Sequence, residues 1–226
     1  MSIRRFPIFV LVVLVLCTTA NYAQPKSRKS NTPAADTSKE KQTVYDFSLV
    51  DQTGKVVQLS DYKGKVLLIV NLASQSVYSN QIESLNELEK KYASRGLVIL
   101  GIPSSDFGDE ELKDPAAMQK YYTDTAHAGF PVFAKATITG VHQIPLYQFL
   151  CDPKQSVPGG GLRWNYTKFI VGRDGHPLKR YEVDVNPSDI DFRVDIESAL
   201  KGDKAHKSES GHRPSPQHSE DSSDDD

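Results

Sequence analysis

Apolar residues are spaced in more than one way along this chain, and each spacing predicts a different element. Residues 66–70 are continuously apolar, and so are 97–102; such short runs are the pattern of strands enclosed on both faces. Between them Ile82, Leu85, Leu88 and Tyr92 recur at helical spacing. Ser79 stands ahead of that run as an N-cap, and Gly96 closes it. A strand, a helix and a second strand, with both strands apolar throughout, predict a parallel βαβ unit with a right-handed crossover.

Shorter patterns surround this unit. Residues 44–49 and 56–59 read as strands about the turn Asp51-Gln52-Thr53-Gly54, and 61–65 form a second turn. A polar helix is expected over 115–126, a short strand over 131–133 and a short helix over 145–150. Residues 165–171 and 178–181 read as a hairpin about Gly172-Arg173-Asp174-Gly175. Ser188 is placed to cap a last helix whose inner face carries Ile190, Val194, Ile196 and Leu200. The sum is an α/β sandwich with a mixed central sheet flanked by helices. One domain over 43–202 is long enough for a single core.

The two ends differ in composition from this domain. Arg4 and Arg5, an apolar run over 8–16 and small residues at Thr18, Thr19, Ala20 and Ala23 follow the order of a secretory signal over 1–23. The run is shorter than the roughly 20 residues that span a bilayer. Arg4-Arg5 is a weak mark of twin-arginine export, and Leu16 before Cys17 argues against lipoprotein processing. Residues 24–42 read as a flexible leader, and 203–226 as a disordered acidic tail. His206, His212 and His218 in that tail match no compact ligand spacing. The expected location is outside the cytoplasm, secreted or periplasmic.

Composition excludes more than it identifies. The formal net charge is −2, so the basic excess of a nucleic-acid-binding surface is missing. Of two cysteines, Cys17 leaves with the signal. Cys151 alone makes neither an internal disulfide nor a Cys-x-x-Cys pair, and it reads as a partly buried helix-end residue. Gly159-Gly160-Gly161 lacks the rest of a phosphate loop.

Three linked segments carry a resemblance. Residues 64–74 are followed by Gln75, Ser76, Val77, Tyr78 and Ser79; then come Pro103-Ser104-Ser105-Asp106-Phe107-Gly108 and Trp164-Asn165-Tyr166-Thr167-Lys168-Phe169. In this order and spacing they resemble the glutathione peroxidase family over residues 43–200, with Phe130-Pro131-Val132-Phe133 and Pro145-Leu146-Tyr147 in agreement. The resemblance implies a thioredoxin-like fold. It also implies reduction of hydrogen peroxide and organic hydroperoxides by a thiol such as glutathione or thioredoxin, with no further cofactor. It favours a monomer, because the loop near 159–161 is short.

The resemblance places Ser76, Asp106, Trp164 and Asn165 at the site, with Ser76 where the family has cysteine or selenocysteine and Asp106 where it has a neutral donor. A thiol or selenol near a helix N-terminus is acidified by the helix dipole. A serine hydroxyl is not ionised near neutrality and cannot pass through a sulfenic acid. Asp106 is expected to set a negative charge beside it. No cysteine lies in 119–129, where some members carry a resolving one; the nearest match is Thr123. Two functions follow from this pattern: a peroxidase with impaired or altered chemistry, or a binding protein that keeps the pocket. A hydrolase lacks a base beside Ser76, and Asn165-Tyr166-Thr167, though a glycosylation sequon, is expected to begin a buried strand.

Overall fold

The computed structural model describes residues 41–202, apart from 156 and 158. The signal, most of the leader and the acidic tail with its three histidines lie outside the described residues. In chain order the elements are β1 (Ser48–Val50), β2 (Val56–Gln58), β3 (Val66–Leu72), α1 (Gln81–Tyr92), β4 (Leu97–Pro103), α2 (Pro115–Lys120), α3 (Pro145–Leu150), β5 (Lys168–Val171), β6 (Pro177–Tyr181) and α4 (Ile190–Lys201). The strands β1 and β2 form a separate antiparallel pair, and the main sheet has the order β4-β3-β5-β6. β3 runs parallel to β4 and antiparallel to β5.

All seven residues of β3 are buried, and its alternation assigns the layers. Val66, Leu68, Val70 and Leu72 point to one face, where they pack with Ile82, Leu85 and Leu88 of α1 and Phe192 and Ile196 of α4. Leu67 and Ile69 point to the other face and meet Leu146, Tyr147 and Leu150 of α3. A strand with an apolar core on each side is apolar at successive positions, which is why its sequence does not alternate, and its one polar residue, Asn71, is buried near its end and bonded to the Trp164 carbonyl.

Several local expectations are corrected. Residues Val44–Asp46 and Leu59–Tyr62 are 3-10 turns, not strand. Asp46 closes a capping box with Thr43 and so favours a turn. Residues 131–133 make only isolated bridges, Val132 to Gly101 and Phe133 to Asp51. β5 starts at Lys168 and not at 165, because Tyr166 sits at φ 62° and breaks the extended chain. The N-cap of α1 is Asn80 and not Ser79. Its dihedrals are already helical, since tight turns beginning at Ser76 run into the helix.

The last helix differs on both counts. Asp189, not Ser188, is its N-cap, and the Ser188 hydroxyl donates to Asn186 Oδ1 at 2.8 Å. Its buried residues are Phe192, Ile196, Ala199 and Leu200, while Ile190 and Val194 are 71% and 55% exposed. At about 100° per residue, Ile190 and Val194 lie across the helix from Ile196 and Leu200, so the four expected positions never shared a face.

Arg173, in the β5–β6 turn, joins three distant chain segments. Its guanidinium donates to the carbonyls of Gly64 (2.7 Å), Arg95 (3.0 Å) and Leu200 (3.1 Å). Arg173→Met removes all three bonds and is expected to cost about 1–3 kcal/mol, measured as a lower denaturant midpoint with unchanged slope.

Candidate functional site

The C-terminal end of β3 runs into a loop whose residues are tied down one after another. The Tyr166 hydroxyl donates to the Ala73 carbonyl at 3.1 Å. Ser74 is held by the buried carboxylate of Glu111, which accepts from the Ser74 amide (3.2 Å), the Ser74 hydroxyl (2.5 Å), the Leu112 amide (2.7 Å) and the Tyr122 hydroxyl (2.6 Å). Four donors fill the acceptor sites of one carboxylate. The Gln75 amide donates to the Glu110 carbonyl at 2.8 Å.

Ser76 follows, buried, at the start of the turn into α1. Its Oγ accepts a long bond from the Tyr78 amide, at 3.4 Å. Val77 beside it is 82% exposed, so the loop presents an apolar rim over a buried hydroxyl. Desolvation, and then the nearby Glu111 carboxylate, hold the Tyr122 phenol far above its ordinary range. Burial raises the Tyr166 phenol as well. Both therefore remain donors to the loop.

Asn165 and Trp164 approach from the strand side. Asn165 is fully buried, and its amide donates to Glu110 Oε2 (2.9 Å) and to the Phe107 carbonyl (3.3 Å). Its Oδ1 has no partner among the described residues. Trp164 is 38% exposed, and its ring lies 5.9 Å from that of Phe107. Its carbonyl accepts from Asn71 Nδ2 (3.2 Å) and Thr167 Oγ1 (3.1 Å). Asn165 is thus a buried site residue at a turn, and not the first residue of a strand.

The Asp106 carboxylate is engaged by the 138–139 loop. Its Oδ2 accepts from the amides of Ile138 (2.6 Å) and Thr139 (2.8 Å) and from the Thr139 hydroxyl (3.1 Å). A second carboxylate, Glu110, bonds Asn165, and sequence reasoning missed it. Gly108 and Asp109 both adopt positive φ, 65° and 52°, and this curl carries Glu110 back against Gln75 and Asn165. The signal was present in the sequence as the acidic run Asp109-Glu110-Glu111 after the Phe107-Gly108 landmark.

Cys151 ends α3 and lines a different cavity of about 420 Å³ together with Thr139, Gln143, Asp152 and Leu162. Burial pushes its thiol up, away from the thiolate that peroxide chemistry needs.

Comparison with known proteins agrees with this geometry. The family model described as glutathione peroxidase matches residues 44–151. A "probable phospholipid hydroperoxide glutathione peroxidase" of Solanum lycopersicum is 40% identical over 151 residues, covering 66% of this chain and 89% of that protein. The chain belongs to the glutathione peroxidase family. A bacterial relative, the "glutathione peroxidase" of Lactococcus lactis subsp. cremoris, is 35% identical over 150 residues, covering 66% of this chain and 96% of that protein. Among solved structures, Trgpx in apo form superposes with a TM-score of 0.58 at 29% identity, covering 71% of this chain and 96% of the other. The T. cruzi GPX1 structure gives 0.56 at 26%, with 71% and 97% covered. A thioredoxin family protein from Chlorobium tepidum, 22% identical with a TM-score of 0.50 over 68% of this chain and 92% of the other, shares the fold. The fold is thioredoxin-like.

Asp106 holds the 138–139 loop through Ile138 and Thr139. Asp106→Ala strands two amides and a hydroxyl, and is expected to cost about 2–4 kcal/mol in urea unfolding while leaving Trp164 fluorescence unchanged.

Proposed function

We propose that this chain keeps the peroxide-and-thiol pocket of its family but has impaired or absent peroxide turnover of its own. The family reaction needs a thiolate or selenolate that attacks a peroxide oxygen. The O–O bond breaks, an alcohol or water leaves, and the sulfenic or selenenic acid is returned to the thiol or selenol, with loss of water, by two equivalents of a monothiol such as glutathione or one of a dithiol such as thioredoxin, which leaves as a disulfide. Ser76 stands at that position, and its hydroxyl is neither ionised nor able to make this intermediate.

The observation that carries the reading is the capture of Asn165 by Glu110. An amide that should stabilise an anion at residue 76 instead spends both hydrogens, one on Glu110 Oε2 and one on the Phe107 carbonyl. A carboxylate in this place opposes an anion at residue 76, so the electrostatic penalty expected from Asp106 is assigned to Glu110. No histidine bonds Ser76 among the described residues, which leaves the hydroxyl without a base.

The remaining pocket supports a binding role. Val77 and Trp164 are both exposed, and Asn165 Oδ1 is a buried acceptor with no partner among the described residues. A peptide, thiol or lipid ligand suits such a surface. Residues 1–23 and the short 159–161 loop support the further reading of an exported monomer.

Ser76→Cys tests the reading, alone and combined with Glu110→Gln, assayed with hydrogen peroxide and glutathione or thioredoxin. The single variant is expected to turn over slowly and the double variant faster by about tenfold or more, the equivalent of roughly one pKa unit of relief at the thiol. Adding Asp106→Gln to Ser76→Cys should give no such gain. Equal rates in the single and double variants would show that Glu110 is no barrier.

A further inference from the structure

Lys168, the first residue of β5, is the only lysine or arginine among the described residues with no solvent-exposed surface. Lysine is seldom enclosed in this way without a partner. No carboxylate lies within ion-pair distance of it among the described residues. Its ammonium donates instead to three backbone carbonyls: Val185 (2.7 Å), Tyr166 (2.8 Å) and Glu182 (3.4 Å). All three hydrogens are used.

These carbonyls belong to two segments. Tyr166 is the left-handed residue, at φ 62°, that turns Trp164 and Asn165 toward the Ser76 loop. Such a conformation costs a non-glycine residue about 1–3 kcal/mol and persists only where its surroundings hold it. Glu182 and Val185 belong to the strap after β6. That strap is gripped from the other side by Gln81, whose Nε2 donates to the Val183 carbonyl at 2.8 Å. Gln81 is buried and is the first residue of α1, directly after the Ser76 turn. The strap therefore touches both halves of the site, the helix that follows Ser76 and the strand that follows Trp164-Asn165.

We propose that Lys168 is a positioning residue, which holds the Trp164-Asn165 turn and the 182–185 strap in register with the Ser76 turn. The proposal rests on the reading that Ser76, Trp164 and Asn165 form one site. It gives Lys168, which touches no ligand-facing surface, a role through the residues it fixes.

The charge on Lys168 is poised to change. Desolvation lowers its ammonium to about 7, against the opposing pull of Asp184, Asp189 and Glu182. Tyr181 faces it across the β5–β6 pairing and Tyr166 shares its turn, while its β3 partner Val70 brings no titratable group. Above that value the neutral amine keeps two N–H groups and gains a lone pair, so one carbonyl loses its donor and the clasp loosens. The sign for global stability is the opposite. An unfolded lysine keeps its proton to about 10.4, so between the two values the unfolded chain binds more protons, and Lys168's contribution to stability rises with pH.

The chain has one tryptophan, so its fluorescence reports on Trp164 alone. Emission and acrylamide quenching are measured on the wild type, Lys168→Met, Lys168→Arg and Gln81→Leu, each checked for folding by circular dichroism. Lys168→Met and Gln81→Leu are expected to red-shift the emission and raise quenching, and Lys168→Arg to remain closer to the wild type. A wild-type titration across about pH 6–9 is expected to loosen Trp164 with a midpoint near 7, a transition missing from Lys168→Met. Wild-type emission and quenching in folded Lys168→Met overturn the proposal; if that variant does not fold, the same result in Gln81→Leu does so. None of these readouts needs peroxide or a thiol, so failure of the functional reading and failure of this proposal remain distinguishable.

Discussion

The enclosure of β3 on both faces is the constraint from which the site follows. Seven successive buried residues leave that strand one register against β4 and β5, because a shift by one residue would exchange the side chains of its two cores. The strand therefore delivers residue 73 to a fixed point. From there the loop is governed by polar contacts: Tyr166 on Ala73, the buried Glu111 carboxylate on Ser74 and the Glu110 carbonyl on Gln75. Ser76 inherits its position from these anchors.

The acidic pair Glu110-Glu111 divides two tasks between neighbours. Glu111 is turned inward, and its four donors make it a structural knot beneath the loop. Glu110 is turned toward Asn165 and changes the electrostatic character of the pocket. The same amide group in an anion-stabilising site would have to be free, and here it is engaged. On the proposed reading, the scaffold of a thiol peroxidase and a site that disfavours an anion coexist because the first is set by burial and the second by a single side chain.

Much of this was legible in the sequence where one physical rule acts alone. The βαβ unit and the helix over 145–150 follow from apolar spacing, and the structure has them at or within two residues of the expected limits. Helix caps were not legible. Ser79 and Ser188 are good cap types, yet tight turns run into α1, and Asn186 takes the Ser188 hydroxyl at α4. The inner face of α4 was misassigned because Phe192 was omitted and Ile190 included, although the two lie on different sides of the helix. The Gln75 amide and the Asn165 side chain both bond the 107–111 loop, at the Glu110 carbonyl and at Glu110 Oε2 and the Phe107 carbonyl. The choice among Asp106, Glu110 and Glu111 could not be made from spacing, because the left-handed pair Gly108-Asp109 reverses the chain between them. The strap at 182–185 was hidden for another reason: its contacts run through backbone carbonyls, which carry no sequence signature.

Hydrogen peroxide consumption by the unaltered chain, followed in turn with glutathione and with a thioredoxin system, separates a retained pocket from a retained activity. If Ser76 and the Glu110–Asn165 contact set the chemistry, consumption stays at the level of the reductant alone. Turnover at the rate of an ordinary thiol peroxidase would contradict the account.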